Sequence, residues 1–229
     1  MFSSALMWFF LNTIGYTRGY ENIALNKPTY LSHRYYSLTH AAATFDSSNA
    51  ADGLKTDLSG FGGQCVTSAA GQKSATWWVN LRLTTIYSIH DIRIYYKTDN
   101  AKWDSQNGYT ARFLGFYLYI SNTTDKLDGL LCFHDTKFNR STIPAVVNIT
   151  CPVHGQYIIY YNERPQESPN AAQFSSGAHA ELCEVEVYGC NNIGYYGPTC
   201  LFPSPDTNCR YCHIETGACQ GCKPGYQGQ

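Results

Sequence analysis

The sequence predicts an all-β protein, an antiparallel β-sandwich jelly roll followed by a small disulfide-rich module. Short segments of alternating apolar and polar residues recur between clusters of Gly, Asn, Asp and Pro, which is typical of a sandwich. No segment has a helical period of useful length, which argues against a parallel α/β fold. After Cys190 the composition changes to Gly, Pro and closely spaced Cys, which indicates a second, smaller module.

The composition is that of a folded chain. Of 229 residues, 44% are hydrophobic and 14% charged, which allows one sizeable domain and a small one. Nineteen Tyr and eleven Phe against two Met favour strands over helices. A formal net charge of -1 provides no electrostatic footprint for nucleic acid or for an anionic membrane surface, so we expect neither as a partner.

Residues 1–19 have the pattern of a secretory signal peptide. The apolar run from Ala5 to Leu11 is too short to span a bilayer, and the small residues after it predict cleavage after Gly15 or Gly19. Ten Cys are typical of an oxidising compartment. Three glycosylation sequons agree with export, at Asn122, Asn139 and Asn148. We therefore expect a secreted protein or the extracellular part of a membrane receptor.

The predicted strands follow a short extended segment and an Ala- and Ser-rich passage that ends in a turn at Asp52-Gly53. Alternation then predicts strands over Trp77 to Leu83, Ile92 to Tyr96, Phe116 to Ile120, Tyr157 to Tyr161 and Leu182 to Tyr188. Two long polar connections, residues 97–110 and 162–179, separate them. Long loops at the end of a sandwich are where binding usually occurs.

The last of these strands closes the first domain. Its alternation places Cys183, Val185 and Val187 on a core face, and Glu184 and Glu186 on the opposite face, as in a half-buried strand. The alternative is an ordinary edge strand with solvated glutamates.

Four ordered motifs carry a resemblance to a known family. They are Asn22-Ile-Ala-Leu-Asn-Lys-Pro, Ser48-Asn-Ala-Ala-Asp-Gly, Trp77-Trp-Val-Asn-Leu and Leu182-Cys-Glu-Val-Glu-Val-Tyr-Gly. Together they resemble the F-type lectin, or fucolectin, domain of the discoidin-like jelly-roll superfamily over residues 20–189. The resemblance implies a carbohydrate-binding jelly roll.

Residues 190–229 resemble the EGF-like repeats of multiple-EGF-like-domain scavenger receptors. Gly194-Tyr-Tyr-Gly-Pro-Thr-Cys and Gly225-Tyr-Gln-Gly are two copies of the Gly-aromatic-x-Gly turn that ends each such loop. The second copy stops before its expected Cys, so we interpret this segment as a truncated repeat.

The two resemblances imply a pattern of disulfide bonds. The F-type pattern implies Cys65–Cys183 and Cys132–Cys151, and the long bridge would contribute roughly 4 to 5 kcal/mol by the chain-entropy account. The other six cysteines allow fifteen pairings. The EGF-like pattern suggests Cys190–Cys200 and Cys209–Cys219, which leaves Cys212 and Cys222. The competing interpretation of these closely spaced cysteines is a zinc ribbon formed by Cys209, Cys212, Cys219 and Cys222.

A structural Ca²⁺ ion is implied by the F-type resemblance. The family holds the ion with the Asn-x-x-Asp-Gly loop, a carbonyl just before the first Cys, and the Glu after the last Cys. Calcium takes six to eight oxygens from carboxylates and carbonyls. The matching positions are Asn49, Asp52, Leu54, Gln64, Cys183 and Glu184. The alternative is that Asp52 merely caps a turn and that Glu184 is solvated.

The sugar motif of the family is degraded in this chain. F-type lectins hold fucose with a His after the first Cys and with an Arg-x-Asp pair followed by a second Arg. Here the pair becomes Lys97-Thr-Asp99, the second Arg matches Arg112 after an inserted segment, and the His position falls on Thr67 or Ala69. Lys cannot reproduce a forked guanidinium, so we expect weakened fucose binding.

Other candidate residues lie outside these motifs. The inserted segment carries Trp103 and Tyr109, aromatic rings that could stack on a sugar. His90 and His179 are interpreted as surface or core residues. No Gly-x-Ser-x-Gly, His-Glu-x-x-His or phosphate-binding glycine loop is present, so we do not expect an enzyme.

The sequence therefore predicts an extracellular, calcium-stabilised recognition module for cell-surface or microbial glycans. The alternative is a jelly roll that has lost sugar binding and acts as a protein-interaction or structural cap on an EGF-repeat receptor. A filled sugar pocket would favour the cap.

Overall fold

The computed structural model describes residues 19–81, 86–164 and 171–226. Except for Gly19, the predicted signal segment lies outside the described residues, as does Leu83 at the end of the first predicted strand. Within the described residues, no helix is both long enough and apolar enough to cross a membrane.

Two antiparallel sheets form the larger part of the molecule. The first sheet has the order β1 (Glu21–Asn22), β10 (Leu182–Cys190), β4 (Tyr87–Tyr96) and β7 (Val146–Thr150), and β8 (His154–Gly155) also pairs with β4. The second has the order β2 (Thr29–Leu31), β3 (Ser74–Asn80), β9 (Tyr157–Glu163), β5 (Tyr117–Ser121) and β6 (Leu130–His134). The predicted antiparallel β-sandwich is confirmed.

In the described part of the chain, helical structure is confined to short pieces. The helix α1 (Gly108–Phe113) lies in the inserted segment and begins where the Asn107 side chain accepts a hydrogen bond from the Tyr109 amide at 3.0 Å. Its six residues are too few to show a helical period, so the sequence did not reveal it. The described 3₁₀ turns are Ala42–Phe45, Ser47–Ala50, Lys126–Asp128 and Ala171–Gln173.

A stack of aromatic rings joins the two sheets beside α1. Tyr96 at the end of β4 stacks on Phe113 with ring centroids 4.2 Å apart, and Phe113 stacks on Phe116 at 4.6 Å. Phe116 continues the stack to Tyr160 of β9 at 5.6 Å. All four rings are buried in the main hydrophobic core. This stack fixes the short helix against the end of the sandwich.

The strand β10 is central and is buried on both faces. It lies between β1 and β4, so the edge-strand alternative is wrong. Glu184 and Glu186 are also buried, although alternation predicted an exposed face for them. The reason is tertiary, since the loop after Asp52 covers that face: the Gly53 amide donates to Glu184, and Lys55 pairs with Glu186.

Four disulfide bonds are present, and they join the pairs that the two resemblances imply: Cys65–Cys183, Cys132–Cys151, Cys190–Cys200 and Cys209–Cys219. Cys212 and Cys222 are free thiols among the described residues. Because two of the four zinc-ribbon candidates are bonded to each other, those four residues do not form a zinc site here.

The C-terminal module packs against the start of β4. It contains β11 (Tyr195–Tyr196) paired with β12 (Phe202–Pro203), and β13 (Cys209–Cys212) paired with β14 (Cys219–Cys222). The Ser88 hydroxyl donates to the Cys212 carbonyl at 3.1 Å, and the His154 and Tyr211 rings lie 3.9 Å apart. Ser88 lies near the start of β4, and Lys97 directly follows its end. The length of the strand between them, about 30 Å, therefore separates the module from the other end of the sandwich.

Candidate functional site

A group of charged side chains lies where β4 ends and β10 begins. Lys97 directly follows β4, and Glu181 directly precedes β10. Tyr96 pairs with Leu182 in antiparallel register, so the next residue of one strand lies beside the preceding residue of the other. The Lys97 amide accordingly donates to the Glu181 carbonyl at 3.0 Å. The strand register thus places these two side chains together.

The Glu181 carboxylate holds two cations. Lys97 Nζ lies 2.7 Å from one oxygen, and Arg112 donates to both oxygens at 2.9 and 3.2 Å. Lys97 Nζ also lies 3.4 Å from the Thr67 hydroxyl. The Tyr109 ring covers both cations, with its centroid 4.8 Å from Lys97 Nζ and 4.8 Å from Arg112 Cζ. We call these five residues the Glu181 cluster.

The two cations of the cluster differ in their access to solvent. The Lys97 side chain is 3% exposed, whereas that of Arg112 is 36% exposed. Burial lowers the pKa of Lys97, against the opposing effect of Glu181. Burial also disfavours the charge on Arg112, but Glu181 outweighs it and raises the pKa of Arg112. Arg112 is therefore the cation of the cluster that a ligand can reach.

The structure separates the predicted sugar residues into two groups. Lys97, Arg112 and Thr67 meet in the cluster, and of the two positions proposed for the missing His, Thr67 is the one that lies there. Asp99 forms no hydrogen bond to the cluster and instead accepts from the Gly60 amide at 3.0 Å. Ala69 lies outside it, with its amide on the His33 carbonyl.

Sequence reasoning missed Glu181, which organises the cluster. In the sequence, Glu181 is marked only by its position directly before an alternating strand. Lys97 can be identified as its partner only when the β4–β10 register is known. Trp103 was expected to be able to stack on a sugar, and the structure does not support that role. Its indole donates to the Ile143 carbonyl at 2.6 Å and packs against the core, so it is not free to stack on a ligand.

The two remaining candidate histidines, His90 and His179, lie outside the Glu181 cluster. His179 is buried two residues before Glu181, and burial lowers the pKa of its imidazole to about 4. His90 lies between Asp91, 2.9 Å from one ring nitrogen, and Glu215 of the C-terminal module, 3.3 Å from the other. His90 therefore contributes to docking of the module, far from the Glu181 cluster.

A second group of polar residues surrounds the Cys65–Cys183 bridge. Glu184 follows Cys183 on β10 and is 0% exposed. One of its oxygens accepts from the Gly53 amide at 3.1 Å, and the other has no hydrogen-bond partner among the described residues. Asp52, on the covering loop, accepts from the Leu54 amide at 2.8 Å. A buried carboxylate oxygen without a partner is costly and requires an explanation.

The other predicted calcium ligands lie in the same loops. The Asn49 amide group donates to the Cys65 carbonyl at 3.4 Å, and the Gln64 side chain accepts from two backbone amides of its own loop at 2.9 Å. Within the described parts of the chain, no three His, Cys, Asp or Glu side chains are placed to hold a metal ion. An ion here would thus take two carboxylates, from Asp52 and Glu184, and otherwise backbone and amide oxygens, which is a donor set that suits calcium.

The electrostatics of this group favour a cation. Burial raises the pKa of Glu184 from 4.5 to about 7, and the neighbouring carboxylates of Asp52 and Glu186 add to the increase. Burial likewise raises the pKa of Asp52. Two neighbouring carboxylates with raised pKa values, one with an unpaired oxygen, fit a site for a bound cation.

Glu184 should make stability depend on pH in the presence of chelator. Because the pKa of Glu184 is about 7 in the folded state and 4.5 in the unfolded state, the folded state binds more protons between these values. The free energy of unfolding should therefore fall by up to about 3 kcal/mol as pH rises from 4.5 to 7. Urea titrations in EDTA should show this slope, and Glu184→Gln should remove it.

Glu186→Gln is the matched control, because Glu186 already pairs with Lys55 and the substitution should leave most of the slope. A wild-type slope retained by Glu184→Gln would contradict the assignment.

Removing the Glu181 carboxylate should destabilise the fold. Glu181→Gln leaves the buried ammonium of Lys97 without its counter-ion, which should cost about 3 to 5 kcal/mol. Arg112→Ala should cost less, because its guanidinium reaches solvent and the Lys97–Glu181 pair remains. Urea unfolding of the two variants checks the order, and equal losses would mean that the Lys97–Glu181 pair is not the stabilising contact.

No family model matches the sequence, and no curated protein sequence matches it. Solved structures do match. A serum fucolectin from striped bass, Morone saxatilis, has TM-score 0.53 and 23% identity over 74% of this chain, which spans about half (49%) of that lectin. A Streptococcus pneumoniae fucose-binding module has TM-score 0.53 and 20% identity over 74% of this chain and 96% of its own. The lectin domain of lectinolysin complexed with Lewis b antigen has TM-score 0.52 and 16% identity, with the same coverage.

At these identities the likeness concerns the fold, and the sandwich of this chain therefore has the fold of F-type lectins and fucose-binding modules.

Proposed function

We propose that this protein is an extracellular carbohydrate-recognition module, stabilised by calcium, with a weakened fucose-type sugar site. Its likeness in fold to lectins and fucose-binding modules supports carbohydrate recognition in general. The observation that carries the proposal is the convergence of Lys97, Arg112 and Thr67 at the Tyr109 ring, because two separate connections, β2–β3 and β4–β5, bring these positions of the fucolectin motif to one point.

The geometry also gives a reason for weak binding. Lys97 is buried and donates to Glu181 and Thr67, so this position of the motif does not reach a sugar. Arg112 retains exposed donors beside an aromatic ring. A single forked donor with a stacking ring suits one sugar hydroxyl pair and an apolar sugar face. Loss of one or two charged hydrogen bonds predicts affinity for monomeric fucose one to two orders of magnitude below that of an intact lectin.

Calcium would be held by the carboxylates of Asp52 and Glu184 and by oxygens of Asn49, Leu54, Gln64 and Cys183. Bound there, the ion supplies two positive charges that neutralise the buried acids. The Cys65–Cys183 bridge ties the covering loop to β10, so the same ion would fasten the loops on which Thr67 and Gly60 lie.

The four disulfide bonds support an oxidising, extracellular compartment. Asn122 and Asn148 are exposed and Asn139 is partly exposed, which is compatible with glycosylation at all three sequons. We propose that residues 190–229 belong to an EGF-like segment. This segment contacts the start of β4, whereas the Glu181 cluster lies at the opposite end of that strand.

A protein-interaction cap is the second candidate, and two observations favour it. Glu181 fills the position where a sugar would meet Lys97. The outer face of the second sheet also carries an apolar cross-strand row in all five strands, in which Tyr30 and Leu131 are exposed, Trp78 and Tyr119 are partly exposed and Ile159 is buried. Apolar residues that continue across a whole sheet face are typical of interaction surfaces.

Calcium should stabilise the folded protein by mass action. Millimolar CaCl₂ should raise the melting temperature relative to EDTA, because the ion binds only the folded state. Asp52→Ala should abolish this response, whereas Asp104→Ala, on an exposed loop, should keep it. A melting temperature that does not differ between EDTA and calcium would remove the ion from the proposal.

Glycan binding should depend on Arg112 and on multivalency. We expect binding to dense fucosylated surfaces on a glycan array, because avidity compensates for weak single sites. Arg112→Ala should reduce that signal at least tenfold, while Arg93→Ala, an exposed arginine on the outer face of the first sheet, should not.

Calorimetry with monomeric fucose should show only weak binding. Tight binding of the monomer, or array binding unaffected by Arg112→Ala, would place the sugar elsewhere. Absence of binding to every glycan would favour the protein-interaction cap.

A further inference from the structure

The inserted segment forms an open pocket beside the Glu181 cluster. Nine residues between Thr98 and Tyr109 line about 430 Å³ that is open to solvent, with Tyr109 shared between the pocket and the cluster. Of the residues that line it, only Asp99 belongs to the fucolectin sugar motif, and the others lie in the inserted segment. Lys97, the position that the fucolectin motif assigns to sugar binding, is almost inaccessible, so a ligand that approaches this end of the sandwich meets the pocket instead.

The pocket is held rigidly. The Asn107 amide group donates to the Thr98 carbonyl at 3.0 Å and to the Lys102 carbonyl at 3.2 Å, which closes the loop on itself. The Trp103 indole fastens the loop to the Ile143 carbonyl at 2.6 Å. A pocket fixed in advance loses little conformational entropy when a ligand binds.

The backbone beside the pocket is left-handed at two consecutive residues. Asp99 and Asn100 have φ of 60° and 52°, a conformation that is uncommon for most residues but more accessible to Asp and Asn. Side-chain hydrogen bonds hold both residues, since Asp99 accepts from the Gly60 amide at 3.0 Å and Asn100 accepts from the Leu58 amide at 2.9 Å. These contacts fasten the loop to the neighbouring segment 58–60.

Three polar groups that line the pocket are available to a ligand. The second carboxylate oxygen of Asp99, the side-chain amide of Gln106 and the hydroxyl of Tyr109 form no hydrogen bond among the described residues. Together they offer an acceptor, a donor–acceptor pair and a hydroxyl beside an aromatic ring. This combination suits the hydroxyls and the apolar face of a pyranose ring.

The charge of the pocket restricts the ligand further. Lys102 pairs with Asp104 at 3.1 Å. Asp99 forms no salt bridge among the described residues, and its negative charge acts, together with that of Glu181, on the buried Lys97. The cations of the adjacent cluster are neutralised in part by Glu181. An acidic sugar would meet a like charge at Asp99, whereas a neutral sugar or an amino sugar would not.

We propose that this pocket is the principal glycan-contacting site of the protein and that it takes a non-acidic pyranose, held by Asp99, Gln106 and Tyr109. The proposal rests on carbohydrate recognition as the proposed function and assigns it to a location formed by the inserted segment. Arg112 then lies at the inner edge of the site, behind Tyr109.

The test compares variants on immobilised polymers of neutral, amino and acidic sugars. Gln106→Ala should lower the apparent affinity for non-acidic glycans about tenfold, because it removes the hydrogen bonds between this side chain and the sugar. Because the side chain is exposed, the substitution should not disturb the fold. Asp99→Asn keeps the acceptor for Gly60 and removes the charge, so it should raise binding to acidic glycans relative to amino sugars. Asn192→Ala, an exposed amide on the C-terminal module, should bind as the wild type does.

The outcomes distinguish failure of the pocket from failure of carbohydrate recognition itself. If wild-type protein binds glycans and Arg112→Ala weakens binding, but Gln106→Ala and Asp99→Asn bind as the wild type does, carbohydrate recognition stands and the pocket is overturned. Preferential binding of acidic glycans by the wild type also overturns the pocket. No binding to any glycan overturns both.

Discussion

The pairing of β10 with β4 in the middle of the first sheet is the constraint on which both candidate sites depend. It brings Glu181 opposite Lys97 at one end, and three residues later it places Glu184 beneath the loop that follows Asp52. The Cys65–Cys183 bridge holds that loop against the same strand. A register slip of one residue would exchange the faces of β10 and separate each carboxylate from its partners.

The two buried glutamates of this region illustrate opposite solutions to the same energetic problem. Burying a carboxylate is costly unless charge and hydrogen bonds compensate. Glu181 receives two cations from its own chain, which stabilises the cluster and also removes Lys97 from contact with ligands. Glu184 receives one backbone amide and faces Asp52, so its compensation must come from a proton or from a bound cation. Under the proposed function, the first arrangement would weaken the sugar site, and the second would favour a calcium site.

Under the proposed function, the inserted segment would provide the recognition surface that the degraded motif no longer supplies. Its helix α1 presents Arg112 and Tyr109 from one side, and the rest of the loop adds Asp99 and Gln106 around an open pocket. The aromatic stack through Phe113 anchors this arrangement in the core. Function-bearing loops on a rigid sandwich can change in this way without any change in the sheets that support them.

The sequence by itself determined the sandwich, because alternation of apolar residues reflects the two faces of each strand wherever one face meets solvent. The motifs that resemble fucolectins also indicated the loops that meet at the Glu181 cluster and at the calcium candidate. Only the tertiary structure decided that β10 is covered on both faces, since a loop from residues 52–57 lies over its glutamates. It also decided that Glu181 is the centre of the cluster and that Trp103 packs, partly buried, against the core. These features depend on which residues of distant segments become neighbours. Local periodicity in the sequence does not determine strand register or the packing of loops on a sheet.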